Sequence, residues 1–287
     1  MKYWNEKLAI SREQSLKKWV SLGLSDSLLS INHNKTTYLQ FRTMNSPKLD
    51  YNTLEISNYI ANDSSTKFLG MIIDEKLTWY DQINQILKRF SSACFAFRIS
   101  TPLFPDETWR EIYFAYVHSI LTYGIIFWGN STHAIKILRM QKKIIRIMTK
   151  SNNRSSCRQM FKKLRILPLQ SQYILSLLSF IVQNKDQFTN NLEIHNINTR
   201  YNMNLQPPLL NLTLSQKGAH YSGIRLFNHL PGHIKQLAGD INLFKLALKN
   251  LLWSHSFYSI QKYLQTKLIW MTNYLLLGTT HMAPAMH

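Results

Sequence analysis

The sequence predicts a mainly α fold with a small α+β segment at its N-terminal end. Three observations carry that prediction. After Leu77, apolar residues recur at three- and four-residue steps over most of the chain. Before it, Lys35–Arg42 and Lys67–Ile73 are short runs rich in strand-forming residues. With 287 residues and 45% apolar content, the chain can bury a sizeable core.

The elements follow in order. Glu13–Leu22 has helical spacing through Leu16, Trp19 and Val20. Lys35–Arg42 reads as a strand with Thr37, Leu39 and Phe41 on one face and Tyr38 on the other. Asn45–Asn62 is rich in Asn and Ser and reads as a loop or irregular hairpin around Leu54–Ile60. Lys67–Ile73 reads as a second, nearly continuous apolar strand, with Gly70 marking a bulge or a close backbone approach. Trp79–Ile99 then places Ile83, Ile86, Phe90, Cys94 and Phe97 on one helix face. Pro105 starts another helix that should run to about Leu121 and close at Gly124. Ile125–Trp128 is a short buried run, and Tyr123 and Trp128 flanking it read as core. Ser131 and Thr132 should cap the helix from His133 to about Lys150. Further helices are expected at Ser156–Leu164, Gln170–Asp186, Gly218–Leu230 and Asp240–Trp253, with Pro231-Gly232 as a turn. Phe188–Leu214, Asn-rich and holding Pro207-Pro208, should be irregular.

Charge narrows the function. The net charge is +19 and the pI about 9.9. Between Glu111 and Asp186 there is no Asp or Glu, while Lys136–Arg165 holds 11 Lys and Arg. On the His133–Lys150 helix, Lys136, Arg139, Lys142, Lys143, Arg146 and Lys150 share one arc. Ile137, Leu138, Met140, Ile144, Ile145, Ile147 and Met148 share the other. The basic run continues through Arg154, Arg158, Lys162, Lys163 and Arg165 without interleaved acids for ion pairing. A solubility surface mixes its signs; this one suits a polyanion. Phosphate tracking on nucleic acid is the favoured expectation, with an anionic membrane surface or a calmodulin-type partner as the alternative.

Cys94 and Cys157 are too few for a disulfide framework or a four-ligand zinc site, which points to a reducing cytoplasmic or nuclear setting. The lone histidine near Thr199 and Arg200, His195, makes no zinc site either. No secretory leader opens the chain. The longest apolar runs, Tyr173–Val182 and Leu268–Leu277, fall short of the ~20 residues a membrane span requires.

Several segments together resemble one family. Trp19 and the run Leu29-Ser30-Ile31-Asn32-His33-Asn34-Lys35-Thr36-Thr37-Tyr38-Leu39-Gln40-Phe41 are similar to a segment of non-LTR (LINE-type, jockey-like) retrotransposon reverse transcriptases. So are Lys67-Phe68-Leu69-Gly70 through Asp74 with Leu77-Thr78-Trp79, Tyr123-Gly124 through Trp128-Gly129-Asn130-Ser131, His195 through Thr199-Arg200, and Phe227-Asn228-His229-Leu230-Pro231. All occur in the family's order, over roughly Leu16–Leu264. Gln82 stands where the family has His, Phe227 where it has Trp, and Ser25-Asp26-Ser27 looks inserted.

The resemblance implies a C-terminal piece of the enzyme: palm-edge strands followed by a helical, thumb-like bundle. It divides the chain into a palm remnant (1–75), a basic thumb-like region (76–165), a C-terminal helical region (166–264) and an unmatched tail (265–287). It implies RNA and an RNA–DNA template-primer as partners, and makes Lys35 a general acid in a full-length parent. It makes Phe68, Leu69 and Gly70 a primer-grip hairpin, for which an ordinary core strand is the plain alternative. The parent enzymes use magnesium held by an Asp-Asp pair, because two metals must clamp the attacking and leaving oxygens. No Asp-Asp pair occurs here, so the expectation is template-primer binding without polymerisation and without a cofactor. A decayed element without selected activity shares nearly all of these features. With its sheet partners missing, the 1–75 region is expected to be poorly ordered.

Overall fold

Helical spacing after Leu77 becomes helix in the computed structural model, which describes residues 37–43, 61–62, 64–100, 105–189 and 203–266. Glu13–Leu22, Trp19, Lys35, His195, Thr199, Arg200 and residues 267–287 lie outside the described residues. The fold is mainly α, with two two-stranded sheets among the described residues. The chain divides into two units, Met1–Thr66 with Asp74–Lys76, and Lys67–Ile73 with Leu77–His287.

In the first unit, β1 (Thr37–Tyr38) pairs in parallel with β2 (Ala61–Asn62), Thr37 opposite Ala61 and Tyr38 opposite Asn62. The expected strand through Arg42 is therefore shorter, and the loop expected up to Asn62 ends in a strand. The backbone N–H of Arg42 donates to the carbonyl of Glu75 at 2.9 Å instead of extending a ladder, and the two side chains form an ion pair.

The expected single strand Lys67–Ile73 is corrected to a hairpin of β3 (Ser65–Phe68) and β4 (Met71–Asp74). Its two-residue turn, Leu69-Gly70, has φ of +46° and +80°. Positive φ at both central positions matches the twist of the flanking strands, which is why such turns close hairpins. Gly70 takes that conformation freely, whereas a leucine is strained by its Cβ.

In the second unit, α1 (Tyr80–Ser100) buries Ile83, Ile86, Phe90, Cys94 and Phe97, the face read from spacing. α2 (Asp106–Ile112), a π-helical stretch (Tyr113–His118) and α3 (Ser119–Thr122) together form the long helix expected there. Gly124 follows at φ +62°, where an added Cβ would also collide with the Met71 sulfur. The expected buried run is a single helical turn, α4 (Ile125–Trp128). Next come α5 (Ala134–Met148), α6 (Cys157–Lys163) and α7 (Leu169–Gln183). His133, not Ser131 or Thr132, stands at the start of α5, and no side chain caps it.

The remaining helices are α8 (Thr213–Gln216), α9 (Ala219–Asn228), α10 (Gly232–Gln236), α11 (Ile241–His255) and α12 (Ile260–Gln265). Pro231-Gly232 thus opens a short helix rather than forming a turn. Asp240 caps α11, accepting from the N–H groups of Asn242 and Leu243 at 2.8 and 3.2 Å.

One core runs from Ile83 to Tyr263, across the junction between residues 165 and 166. α1 lies along α5, and α7 packs against α3, α4, α5, α9 and α11. With neighbours on so many sides, α7 is buried almost all round. Its N-terminus still needs hydrogen-bond acceptors. Gln141, at 0% exposure in the apolar face of α5, supplies one. Its Oε1 accepts from Leu169 N at 2.9 Å, while its Nε2 donates to Leu167 O at 3.0 Å and Tyr113 Oη at 2.8 Å.

Candidate nucleic-acid interface

The apolar face of α5 is pinned to the core, so its opposite face must point outward. Lys136, Arg139 and Lys143 form the exposed crest of that face. Among the described residues none of the three pairs with a carboxylate. Lys150 lies exposed just past the helix end at φ +50°, and Arg154 is exposed in the following loop. Lys136 reaches back over the Tyr80 ring at 5.4 Å, and Tyr80 meets the His133 ring edge-on at 5.3 Å. Exposed rings beside a cation row are the ingredients of surfaces that stack unpaired bases while neutralising phosphates.

Lys142 and Arg146 do not sit on that crest. Both are half-buried on the flank of α5 that turns toward α6. Lys142 Nζ lies 3.9 Å from the centre of the Tyr258 ring. Burial lowers its pKa, and nearby Arg146, Arg158 and Lys262 lower it further, against an opposing effect of Cys157. Arg146 donates through Nε to Ser155 O at 3.0 Å. Arg158, on α6, places its guanidinium 5.5 Å from the same Tyr258 ring. Lys163 is exposed and Lys162 half-buried at the end of that helix. Burial pushes the Cys157 thiol up, with Arg146 and Lys142 pulling the other way.

Tyr258 is positioned from the core. Ser171, fully buried in the first turn of α7, donates through Oγ to Phe257 O at 3.3 Å and accepts from Phe257 N at 3.1 Å. That clamp holds the loop after α11, and Phe161 of α6 meets the Tyr258 ring edge-on at 6.0 Å.

Just before the N-terminus of α1, Phe68 and Leu69 project from the hairpin, 58% and 72% exposed. They are not core residues. The carbonyl of Leu69 accepts from the Tyr123 hydroxyl, and Gln82 Oε1 accepts from Ile72 N at 2.8 Å. Tyr123, expected in the core, is 53% exposed because its hydroxyl reaches the hairpin tip. Trp128 is core as read: fully buried, its Nε1 donates to the Tyr123 carbonyl at 3.0 Å. Phe127, half-exposed, stacks on Trp79 at 6.3 Å.

Tyr80, Tyr258, Lys262 and Gln141 escaped the sequence reading. For Lys262 a signal existed: after Asp240 the chain contains no further Asp or Glu. Among the described residues no group of three or more His, Cys, Asp or Glu is placed to hold a metal ion. No helix among the described residues is long and apolar enough to cross a membrane.

Comparison with protein-family models, with curated proteins and with solved structures finds no match.

Proposed function

We propose that the helical unit binds the phosphate backbone of nucleic acid, and that its ligand is an RNA–DNA template-primer gripped in the manner of a reverse-transcriptase thumb. The observation that carries this reading is the exposed, acid-free crest of Lys136, Arg139 and Lys143 on a helix whose opposite face buries Ile137, Leu138, Gln141, Ile144, Ile145 and Met148 in the core. A helix held this firmly presents its cations at fixed intervals, and contacts of that kind set position without reading sequence. The hairpin tip of Phe68, Leu69 and Gly70 adds an exposed apolar element beside the N-terminal end of α1, held there through Gln82 and Tyr123, that suits a primer terminus. Exposed Tyr80, Tyr123 and Phe127 offer stacking faces for unpaired bases. The chain is in this reading the thumb-side part of a LINE-type polymerase, acting in the cytoplasm or nucleus.

The test is fluorescence anisotropy of the full chain on a recessed RNA–DNA primer-template across a salt series. Each lysine or arginine that neutralises a phosphate adds about one to the salt slope. Lys136→Ala, Arg139→Ala and Lys143→Ala combined should lower that slope by about 2–3. No binding at low salt, or tighter binding to anionic vesicles at equal salt, would overturn the proposal.

A further inference from the structure

The flank of α5 holds an electrostatic arrangement that the crest does not. Two acid-free stretches, one between Glu111 and Asp186 and one after Asp240, converge around a single ring, Tyr258. The first supplies Lys142 and Arg146 from α5 and Arg158 from α6. The second supplies Tyr258 itself and, four residues further on in α12, the exposed Lys262. Among the described residues, none of the four cations forms an ion pair. The Tyr258 hydroxyl is buried and, among the described residues, has no hydrogen-bond partner.

Such a grouping is unfavourable alone. Four like charges repel one another, and Lys142 is additionally stripped of part of its water. A buried phenolic hydroxyl without a partner adds a further penalty. Surface cations with nothing to do spread into solvent; Lys142 is instead held by a π contact and Arg146 by a backbone carbonyl, on either side of a loop that the Ser171 clamp fixes. An oxyanion seated among them would neutralise the repulsion and accept from the guanidinium and ammonium donors beside the Tyr258 ring.

We infer that Lys142, Arg146, Arg158, Lys262 and Tyr258 form a seat for one phosphate group. Resting on the nucleic-acid reading above, its occupant is a backbone phosphodiester lying to the side of the strand that the crest follows. The seat recruits the C-terminal helices to the interface, so the basic surface extends from α5 and α6 to α12.

The experiment uses the full chain with two probes. Inorganic phosphate is titrated at constant ionic strength while the melting temperature is followed, and the primer-template is titrated by anisotropy. The variants are Lys262→Ala and Arg158→Gln, both at exposed positions that should not impair folding, and Lys142→Met, which keeps the apolar stem. The crest pair Arg139→Ala with Lys143→Ala is the control.

Phosphate should raise the melting temperature of the wild type and of the crest control, and do so markedly less in the seat variants. Lys142→Met should be at least as stable as the wild type without ligand, because it relieves repulsion, yet bind primer-template about five- to tenfold more weakly, the loss of one charge-assisted contact. A phosphate response unchanged in all three seat variants would overturn the seat, as would Lys142→Met losing stability while keeping full affinity. A phosphate response that seat variants abolish, in a protein that binds no nucleic acid, would sustain the seat and overturn the nucleic-acid reading.

Discussion

Replacing Gln141 by leucine keeps the size of the side chain and removes its three hydrogen bonds. What remains is a set of buried groups with no substitute: the Leu169 N–H at the head of α7, the Leu167 carbonyl and the Tyr113 hydroxyl. A buried polar group left without a partner costs about 1–3 kcal/mol. The carbonyl and the hydroxyl, which have other lone pairs or rotations available, fall at the low end, so about 3 kcal/mol in total is expected. In a domain of about 150–250 residues, each kcal/mol moves the melting temperature by about 2–4 °C, giving a fall of roughly 6–12 °C. Tyr113→Phe removes only one of the bonds and should cost about 1 kcal/mol. The double variant should then cost less than the sum, because both changes delete the same contact. Urea unfolding followed by circular dichroism measures all three. A Gln141→Leu protein within about 1 kcal/mol of the wild type would refute the claim that this residue ties the α6–α7 loop to α5, and strict additivity would refute its bond to Tyr113.

Two further outcomes are expected. Leu69→Asn should stabilise the protein by about 1 kcal/mol, since Asn tolerates the φ of +46° that leucine endures, and the lost side chain is largely in water; a lower urea midpoint would contradict the turn geometry. Half-buried His118, edge-on to Phe114 at 5.0 Å, has its pKa lowered by burial first and by Lys249 second. The unfolded chain therefore binds a proton that the folded one resists, so stability is full above about pH 6.5 and falls as pH drops toward the folded value. His118→Gln should lose less stability than the wild type between pH 7.5 and 5.5, and equal losses would remove this histidine from the account.

Periodicity made the helical half of this fold legible for a definite reason. Helices such as α1 and α5 bury one face and wet the other, so Phe90 and Ile144 announce themselves by spacing alone. Spacing and turn chemistry alone hid the hairpin that the family resemblance implied, because its turn carries leucine where Asn or Asp would have signalled a two-residue loop, and Lys67–Ile73 then reads as one apolar strand. Tyr123 was misplaced for a similar reason: an aromatic beside an apolar run looks like core, and only the tertiary path of the hairpin gives its hydroxyl a partner outside it. Gln141 breaks the apolar arc of α5 without any pattern to show what it satisfies, since its partners belong to the π-helical stretch and the loop before α7.

The basic arc shows where a helical projection stops being informative. On the wheel, Lys142 and Lys143 are equivalent members of one charged face. In the fold, Lys143 stands in water and Lys142 lies against Tyr258, some of its hydration replaced by a ring and by three cations that repel it. Charge that is merely solvated costs little to keep, so the crest argues for binding through its missing acids rather than through its energetics. Charge that is concentrated, partly dehydrated and left without a carboxylate does cost stability, and a neutral side chain of the same shape would relieve it. The flank at Lys142 is therefore the better discriminator between a surface that is only basic and one built around an anion, and Lys142→Met reads it out when stability and affinity are measured together: kept or gained stability with weaker primer-template binding marks a seat, lost stability with full affinity a surface that is only basic.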